Sequence, residues 1–152
     1  DELADEKEIH EKQVRIRLFG RISEFPVAVR KAAERVIERT KMYTNYMLNF
    51  CLAYDGRDEI VDAIKSIVKN GITASKINRQ TIKSYLYSKD VPEVDLIIRT
   101  GMSDGKRLSG FMLWDSAYSE FYFTDTYWPD FNKEKFIAAI DDFASRERRH
   151  GR

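Results

Sequence analysis

Cysteine occurs once, at Cys51, and neither sign of charge is in excess: 26 lysines and arginines stand against 25 aspartates and glutamates. One cysteine closes no internal disulfide, and no zinc-ligand spacing exists. Cys51 lies inside the apolar run Met47 to Ala53, which reads as a buried, inert thiol in a reducing compartment. Balanced charge removes the electrostatic reason to expect nucleic acid as a partner, so any anion site has to be local. No run approaches the roughly 18 apolar residues needed to span a bilayer. The expected location is cytoplasmic, which leaves room for peripheral contact with a membrane. Neither a Gly-x-Gly-x-x-Gly nor a Walker-type loop is present, so a nucleotide site has no support. His10 and His150 have no partner at catalytic or metal spacing. Repeats, low-complexity segments and linkers are also missing, and residues 1–152 are expected to form a single domain.

What is present suits a soluble α/β protein: 43% hydrophobic and 34% charged residues, enough to build a core without disorder. Val14-Arg-Ile-Arg-Leu-Phe-Gly20 alternates apolar and basic residues as a strand does. Pro26 opens a helix that runs to about Tyr43, with Val29, Ala32, Ala33, Val36 and Ile37 as its apolar stripe. Met47 to Ala53 is a second strand. Asp58 to Val68 is a helix predicted to turn Ile60, Val61, Ile64, Ile67 and Val68 inward, and Ile77 to Tyr87 is a shorter one. Val94 to Arg99 is a third strand. Phe111 to Tyr118 is a helix or a turn, Phe121 to Thr124 a short strand, and about Lys133 to Arg148 a final helix. The charged segment Asp1 to Lys12 reads as the last turns of an exposed helix. Strands alternating with helices predict a largely parallel open sheet flanked by helices, with ligands bound beyond the carboxyl ends of the strands. Gly20-Arg21, Asp55-Gly-Arg57 and Arg99-Thr-Gly101 all fall at such ends.

The most informative stretch is Asp95 to Trp114. A buried strand delivers Arg99, a polar glycine-bearing loop follows, and Arg107 and Ser109 close it. Arginine binds phosphate through paired donors. A lone arginine here would more often pair with a loop carboxylate such as Asp104. Two arginines, a hydroxyl and two glycines after a buried strand favour an anion site, most plausibly for phosphate or diphosphate. Glu120, beside those arginines in sequence, could hold magnesium, which prefers oxygen ligands and bridges to phosphates, or could pair with one of the arginines. Spacing does not decide between the two. The basic run Arg146 to Arg152 is either a solvated helix end, which composition favours, or an arm reaching an anion site. The aromatic cluster from Trp114 to Phe131 reads mainly as core, with part of it available for an interface.

At these residues the sequence resembles the cis-prenyltransferases of the undecaprenyl diphosphate synthase type. The matching segments are Asp95-Leu-Ile-Ile-Arg-Thr-Gly101, Arg107-Leu-Ser-Gly-Phe-Met-Leu-Trp114, Ala117-Tyr-Ser-Glu-Phe-Tyr-Phe-Thr-Asp125, Trp128-Pro-Asp-Phe131 and Arg146-Glu-Arg-Arg-His-Gly151. Val14 to Gly20 and Leu52 to Val61 also fit. The resemblance implies the α/β fold of that family rather than the all-helical trans-prenyltransferase fold. It implies condensation of isopentenyl diphosphate onto an allylic diphosphate, with Mg2+, to give a long-chain polyprenyl diphosphate. It implies that Arg99, Arg107, Leu108 and Ser109 bind isopentenyl diphosphate and that Glu120 helps to hold magnesium. Arg149 and Gly151 match an Arg-x-Gly that reaches the neighbouring subunit of a homodimer or heterodimer. Membrane contact would come through the product. The family's Asp-Gly-Asn segment is absent from this chain, so the expectation is the later part of an active synthase, holding half a site and inactive alone. The alternative is a non-catalytic partner subunit that contributes its Arg-x-Gly tail. Between Arg99 and Arg107 the loop is two residues longer than the family's usual form, and Gly110 stands where asparagine is common.

Overall fold

The computed structural model describes residues 2–146. The chain divides into two compact units, one ending at Asp90 and the other beginning at Val91.

In the first unit, β1 (Val14–Phe19) and β2 (Tyr46–Cys51) pair in parallel, with Val14 opposite Tyr46 and Phe19 opposite Cys51. A parallel pair needs a crossover, and α3 (Val27–Thr40) lies on it. Alternation along β1 puts Ile16, fully buried, against Val36 of α3, with Ala4, Ile9, Val14 and Phe50 around them. Thr40 fastens the two elements. Its hydroxyl accepts from Ile16 N at 3.0 Å and donates to Val36 O at 2.8 Å, so a buried polar group is fully used. The leading segment forms two short helices, α1 (Glu2–Asp5) and α2 (Lys7–Glu11), and not one continuous exposed helix. His10 pins them, with Nδ1 2.8 Å from the Tyr43 hydroxyl and Nε2 2.9 Å from Ala4 O.

Gly20 ends β1 at φ +114°, where a Cβ would lie 2.1 Å from Leu52 O, so only glycine lets the two strand ends approach this closely. Beyond β2, Asp55 caps α4 (Gly56–Lys69) by accepting from Arg57 N at 2.7 Å. The inward face of α4 meets the sequence expectation at Ile67 and departs from it at Val61, Ile64 and Val68. Gly56, Glu59, Ala63 and Ile67 are buried, whereas Val61, Ile64 and Val68 are exposed. Helical spacing permits only one of these stripes to face the core, and Glu59 fixes the choice. Its carboxylate accepts from the Tyr54 hydroxyl at 2.5 Å and from Ser88 N at 3.0 Å. A shorter helix, α5 (Arg79–Tyr85), is capped by Asn78.

In the second unit, β3 (Leu96–Arg99) and β4 (Glu120–Phe123) also pair in parallel. No helix lies between them: Phe111 to Tyr118 is a run of turns. A single 3-10 turn (Trp128–Asp130) leads to α6 (Lys133–Ser145), which Asn132 caps by accepting from Lys135 N and which buries Ala139 completely. Parallel strand pairs flanked by helices place the chain in the α/β class. The aromatic cluster is less buried than expected. Phe121 and Phe123 stack with centroids 5.7 Å apart, but Tyr118, Tyr127 and Trp128 are solvent-exposed. No helix among the described residues is long and apolar enough to cross a membrane.

Candidate functional site

Arg99 is the last residue of β3, and the backbone keeps the β3 and β4 ends together beyond the strands. Thr124 N donates to Arg99 O at 2.9 Å, Gly101 N to Thr126 O at 2.8 Å, and Met102 N to Thr124 O at 3.0 Å. Met102 is buried and anchors the loop start. From there the chain swings out through exposed Ser103 to Arg107 and returns at Leu108.

The return is where the loop gains its shape. Arg99 Nη1 donates to Leu108 O at 2.8 Å, and Nη2 lies 3.5 Å from Ser109 Oγ, the outer limit for a hydrogen bond. Ser109, Gly110 and Met112 all take positive φ, at 54°, 76° and 48°. A side chain in that region costs about 1–3 kcal/mol and persists where surrounding structure imposes it, often at ligand loops. Arg99, Leu108 and Ser109 are thus brought together as the spacing suggested. The positive φ at Ser109 and Met112 had no sequence signal, because neither residue type favours it.

Arg107 belongs to the same loop and is largely exposed. Its guanidinium lies 4.0 Å from Asp104, which is 76% exposed at its side chain, so the anticipated salt bridge exists only as a long surface contact. Such a contact contributes little and is easily exchanged for another anion. Lys106 adds a third cation, 5.7 Å above the Phe123 ring. It was not singled out in the sequence, although adjacency to Arg107 in a glycine-bearing loop was the available signal. The loop therefore presents Arg99, Lys106 and Arg107 with Asp104 as its internal carboxylate.

Glu120 is placed differently. It starts β4 and sits opposite Leu96, whereas Arg99 sits opposite Phe123. Three residues at about 3.3 Å each separate the two along the strand pair by roughly 10 Å. Within the chain, the parallel register puts Glu120 at the end away from Arg99. Its carboxylate accepts from Arg146 Nη1 at 3.0 Å; the same nitrogen reaches Phe121 O, and Nη2 pairs with Asp142. Those bonds hold the Arg146 guanidinium more firmly protonated than usual. Of the two readings left open, Glu120 does form an ion pair, with Arg146 and not with Arg99 or Arg107. No cluster of three His, Cys, Asp or Glu that could hold a metal ion occurs among the described residues. Magnesium ordinarily takes one or two carboxylates plus phosphate and water oxygens. A single carboxylate already paired with a guanidinium does not by itself fit the ion. Arg149 and Gly151 lie outside the described residues.

The other strand-end arginines serve structure or stand apart. Arg21 pairs with Asp58 at 3.0 Å and with Asp62 at 3.2 Å. The Tyr87 hydroxyl donates to Asp62 at 2.5 Å. Arg21 first, then Tyr87, hold the Asp62 carboxyl below the usual carboxylate range, and burial together with Asp62 pushes the Tyr87 phenol up to about 12. Arg57 is exposed. Burial pushes the Cys51 thiol up to about 11, in keeping with an inert group.

The chain as a whole has counterparts among known proteins. The family described as putative undecaprenyl diphosphate synthase matches residues 1–151.

The chain belongs to this family.

A tritrans,polycis-undecaprenyl-diphosphate synthase (geranylgeranyl-diphosphate specific) from Pyrococcus abyssi is 43% identical over 155 residues, covering 99% of this chain and 58% of its own length. The protein of the same name from Methanocaldococcus jannaschii is 44% identical over 157 residues, covering 99% and 55%. The chain thus spans a little over half the length of these relatives. Among solved structures, a probable undecaprenyl diphosphate synthase from Campylobacter jejuni superposes with a TM-score of 0.83 at 33% identity, covering all of this chain and 69% of that one. Lavandulyl diphosphate synthase from Lavandula x intermedia, solved with dimethylallyl diphosphate, superposes at 0.87 with 26% identity, covering all of this chain and 66% of that one. These likenesses agree with the α/β fold of parallel strands read from the sequence.

Proposed function

We propose that this chain supplies the isopentenyl diphosphate half of a cis-prenyl chain-elongating transferase. The complete enzyme condenses isopentenyl diphosphate with an allylic diphosphate to give a long-chain polyprenyl diphosphate. The observation that carries the proposal is the conformation of the loop from Arg99 to Ser109. Arg99 is fixed by a neutral carbonyl, so its charge is oriented without being neutralised. Arg107 has only a long surface contact to give up. A diphosphate can therefore be gripped by guanidinium donors already in place, with the Ser109 hydroxyl beside them.

Family membership and the relatives' names support the reaction class, and those names favour geranylgeranyl diphosphate as the allylic partner. In this reaction a new carbon–carbon bond forms between isopentenyl and allylic carbons, the allylic diphosphate leaves, and isopentenyl gives up a proton. The residues assigned here bind and orient the isopentenyl diphosphate, which keeps its own phosphates throughout. No residue of the chain is assigned to the proton. Magnesium would supply charge neutralisation at the departing diphosphate when bound. Glu120 would contribute one oxygen to it only after releasing Arg146, and no step described here depends on that ion.

Calorimetric titration of isopentenyl diphosphate tests the assignment. Each charge-assisted hydrogen bond lost is worth about 1.5–3 kcal/mol, so Arg99→Ala and Arg107→Ala should each weaken binding by roughly tenfold to a hundredfold. Unchanged affinity in both variants removes the loop from the site.

A further inference from the structure

Beside Arg99 and Arg107, the loop carries one more cation whose part is not yet assigned, Lys106. It is exposed, and among the described residues it forms no ion pair. The carboxylate of the loop, Asp104, makes its long contact with Arg107 instead. What holds the ammonium is the Phe123 ring, whose centroid lies 5.7 Å from Nζ. A ring face attracts a cation without neutralising it.

The strand register fixes where that puts the charge. Phe123 is directly opposite Arg99 across β3 and β4. Residues paired in this way point to the same face of a sheet. Phe121, two residues back, shares that face and stacks on Phe123. The Arg99 side chain and the Phe123 ring therefore leave the strand pair together, and Lys106 Nζ lies on the side from which the Arg99 guanidinium extends. The chain turns ahead of Lys106 through Gly105, at φ +142°, a conformation that favours glycine. A residue of the exposed loop is thus brought back over the strand end.

The two kinds of cation suit different parts of a ligand. A guanidinium presents a rigid fork of donors that matches one phosphoryl group, and Arg99 is already oriented by Leu108 O. An ammonium is a compact charge with rotatable donors on a flexible stem, free to follow a second phosphoryl group. A monophosphate offers such a site one group. A diphosphate offers two and carries more negative charge. Because Asp104 offsets part of the Arg107 charge, the loop without Lys106 would suit the monophosphate better than the diphosphate.

We propose that Lys106 is a specificity-determining residue of the Arg99 loop, pairing with the phosphoryl group that isopentenyl diphosphate has and isopentenyl monophosphate lacks. The inference rests on the assignment of isopentenyl diphosphate to this loop, and adds which cation reads the second phosphate.

Calorimetric titration of the 152-residue chain with each of the two ligands tests it. Lys106→Gln should weaken diphosphate binding by about fivefold, the scale of an exposed ion pair, and leave monophosphate binding unchanged. Lys106→Arg, which keeps the charge, should keep most of the preference. Lys133→Gln removes the same charge from the start of α6 and should leave the ratio of the two affinities as it is in the parent chain. Arg99→Ala separates the two levels of the argument. If it weakens both ligands while Lys106→Gln leaves their ratio unchanged, the loop keeps its ligand and the role of Lys106 is overturned. An equal change of ratio in Lys133→Gln also overturns it, since net charge then explains the preference. If Arg99→Ala leaves diphosphate affinity unchanged, the loop assignment itself fails and the role of Lys106 falls with it.

Discussion

Two strands of this molecule lead to an arginine, β3 at its last residue and β1 two residues beyond its end, and the two arginines have opposite fates. At the end of β1, Arg21 is neutralised by Asp58 and Asp62, and the Tyr87 hydroxyl locks the second carboxylate in turn. At the end of β3, Arg99 is held by the carbonyl of Leu108 and lies near the hydroxyl of Ser109, both uncharged. The first arrangement closes a charge network. The second orients a charge and leaves it available. A guanidinium at a strand end is thus not itself a binding signal. What surrounds it, carboxylates or neutral oxygens, decides whether it serves stability or a ligand.

The contrast can be broken or sharpened by substitution. The largest effect is expected beside the closed network, at Glu59. Replacing it with alanine leaves Ser88 N and the Tyr54 hydroxyl without their acceptor and opens space in the core, a loss of about 2–4 kcal/mol. A fall in the urea midpoint at unchanged slope would register it. Thr40→Val comes next in stability, because the Ile16 amide loses its acceptor, at about 1–2 kcal/mol. The same chemical denaturation reads it, and isopentenyl diphosphate binding should be untouched.

The closed network should also show in acid. Asp62 titrates below its ordinary value in the folded protein, so its contribution is present above the unfolded carboxylate range and is lost as pH falls through the lowered folded value. Asp62→Asn should therefore flatten the stability profile below about pH 4. A profile as steep as the parent's would mean that Arg21 is not paired as described. The smallest effect is expected in the open arrangement. Asp104→Asn removes the competing carboxylate of Arg107 and should tighten isopentenyl diphosphate binding by no more than about fivefold, the scale of a surface pair. Weaker binding would show that Asp104 assists the ligand rather than competing with it.

Much of this was legible before the structure. Alternation marked β1, and an apolar run ending in Arg99 marked β3, since burial leaves a direct record in residue type. The cluster of Arg99, Arg107 and Ser109 was legible because its members are close in sequence. The fate of Arg21 was not, since its partners lie on α4, three elements after β1, and no local pattern joins them. The inward face of α4 was misjudged in part because Glu59 is an unusual core residue, buried where the Tyr54 hydroxyl and Ser88 N donate to its carboxylate. The position of Glu120 depended on strand register. Nearness in sequence to the arginines concealed that a parallel pair carries it to the opposite end from Arg99.

The central claim is that Arg99 and Arg107 hold a diphosphate while Arg21 does not. The most direct measurement follows the arginine Nε resonances of the 152-residue chain as isopentenyl diphosphate is added. The account predicts saturable shifts at Arg99 and Arg107 with Arg21 unmoved. Shifts at Arg21 with Arg99 and Arg107 unmoved would contradict it.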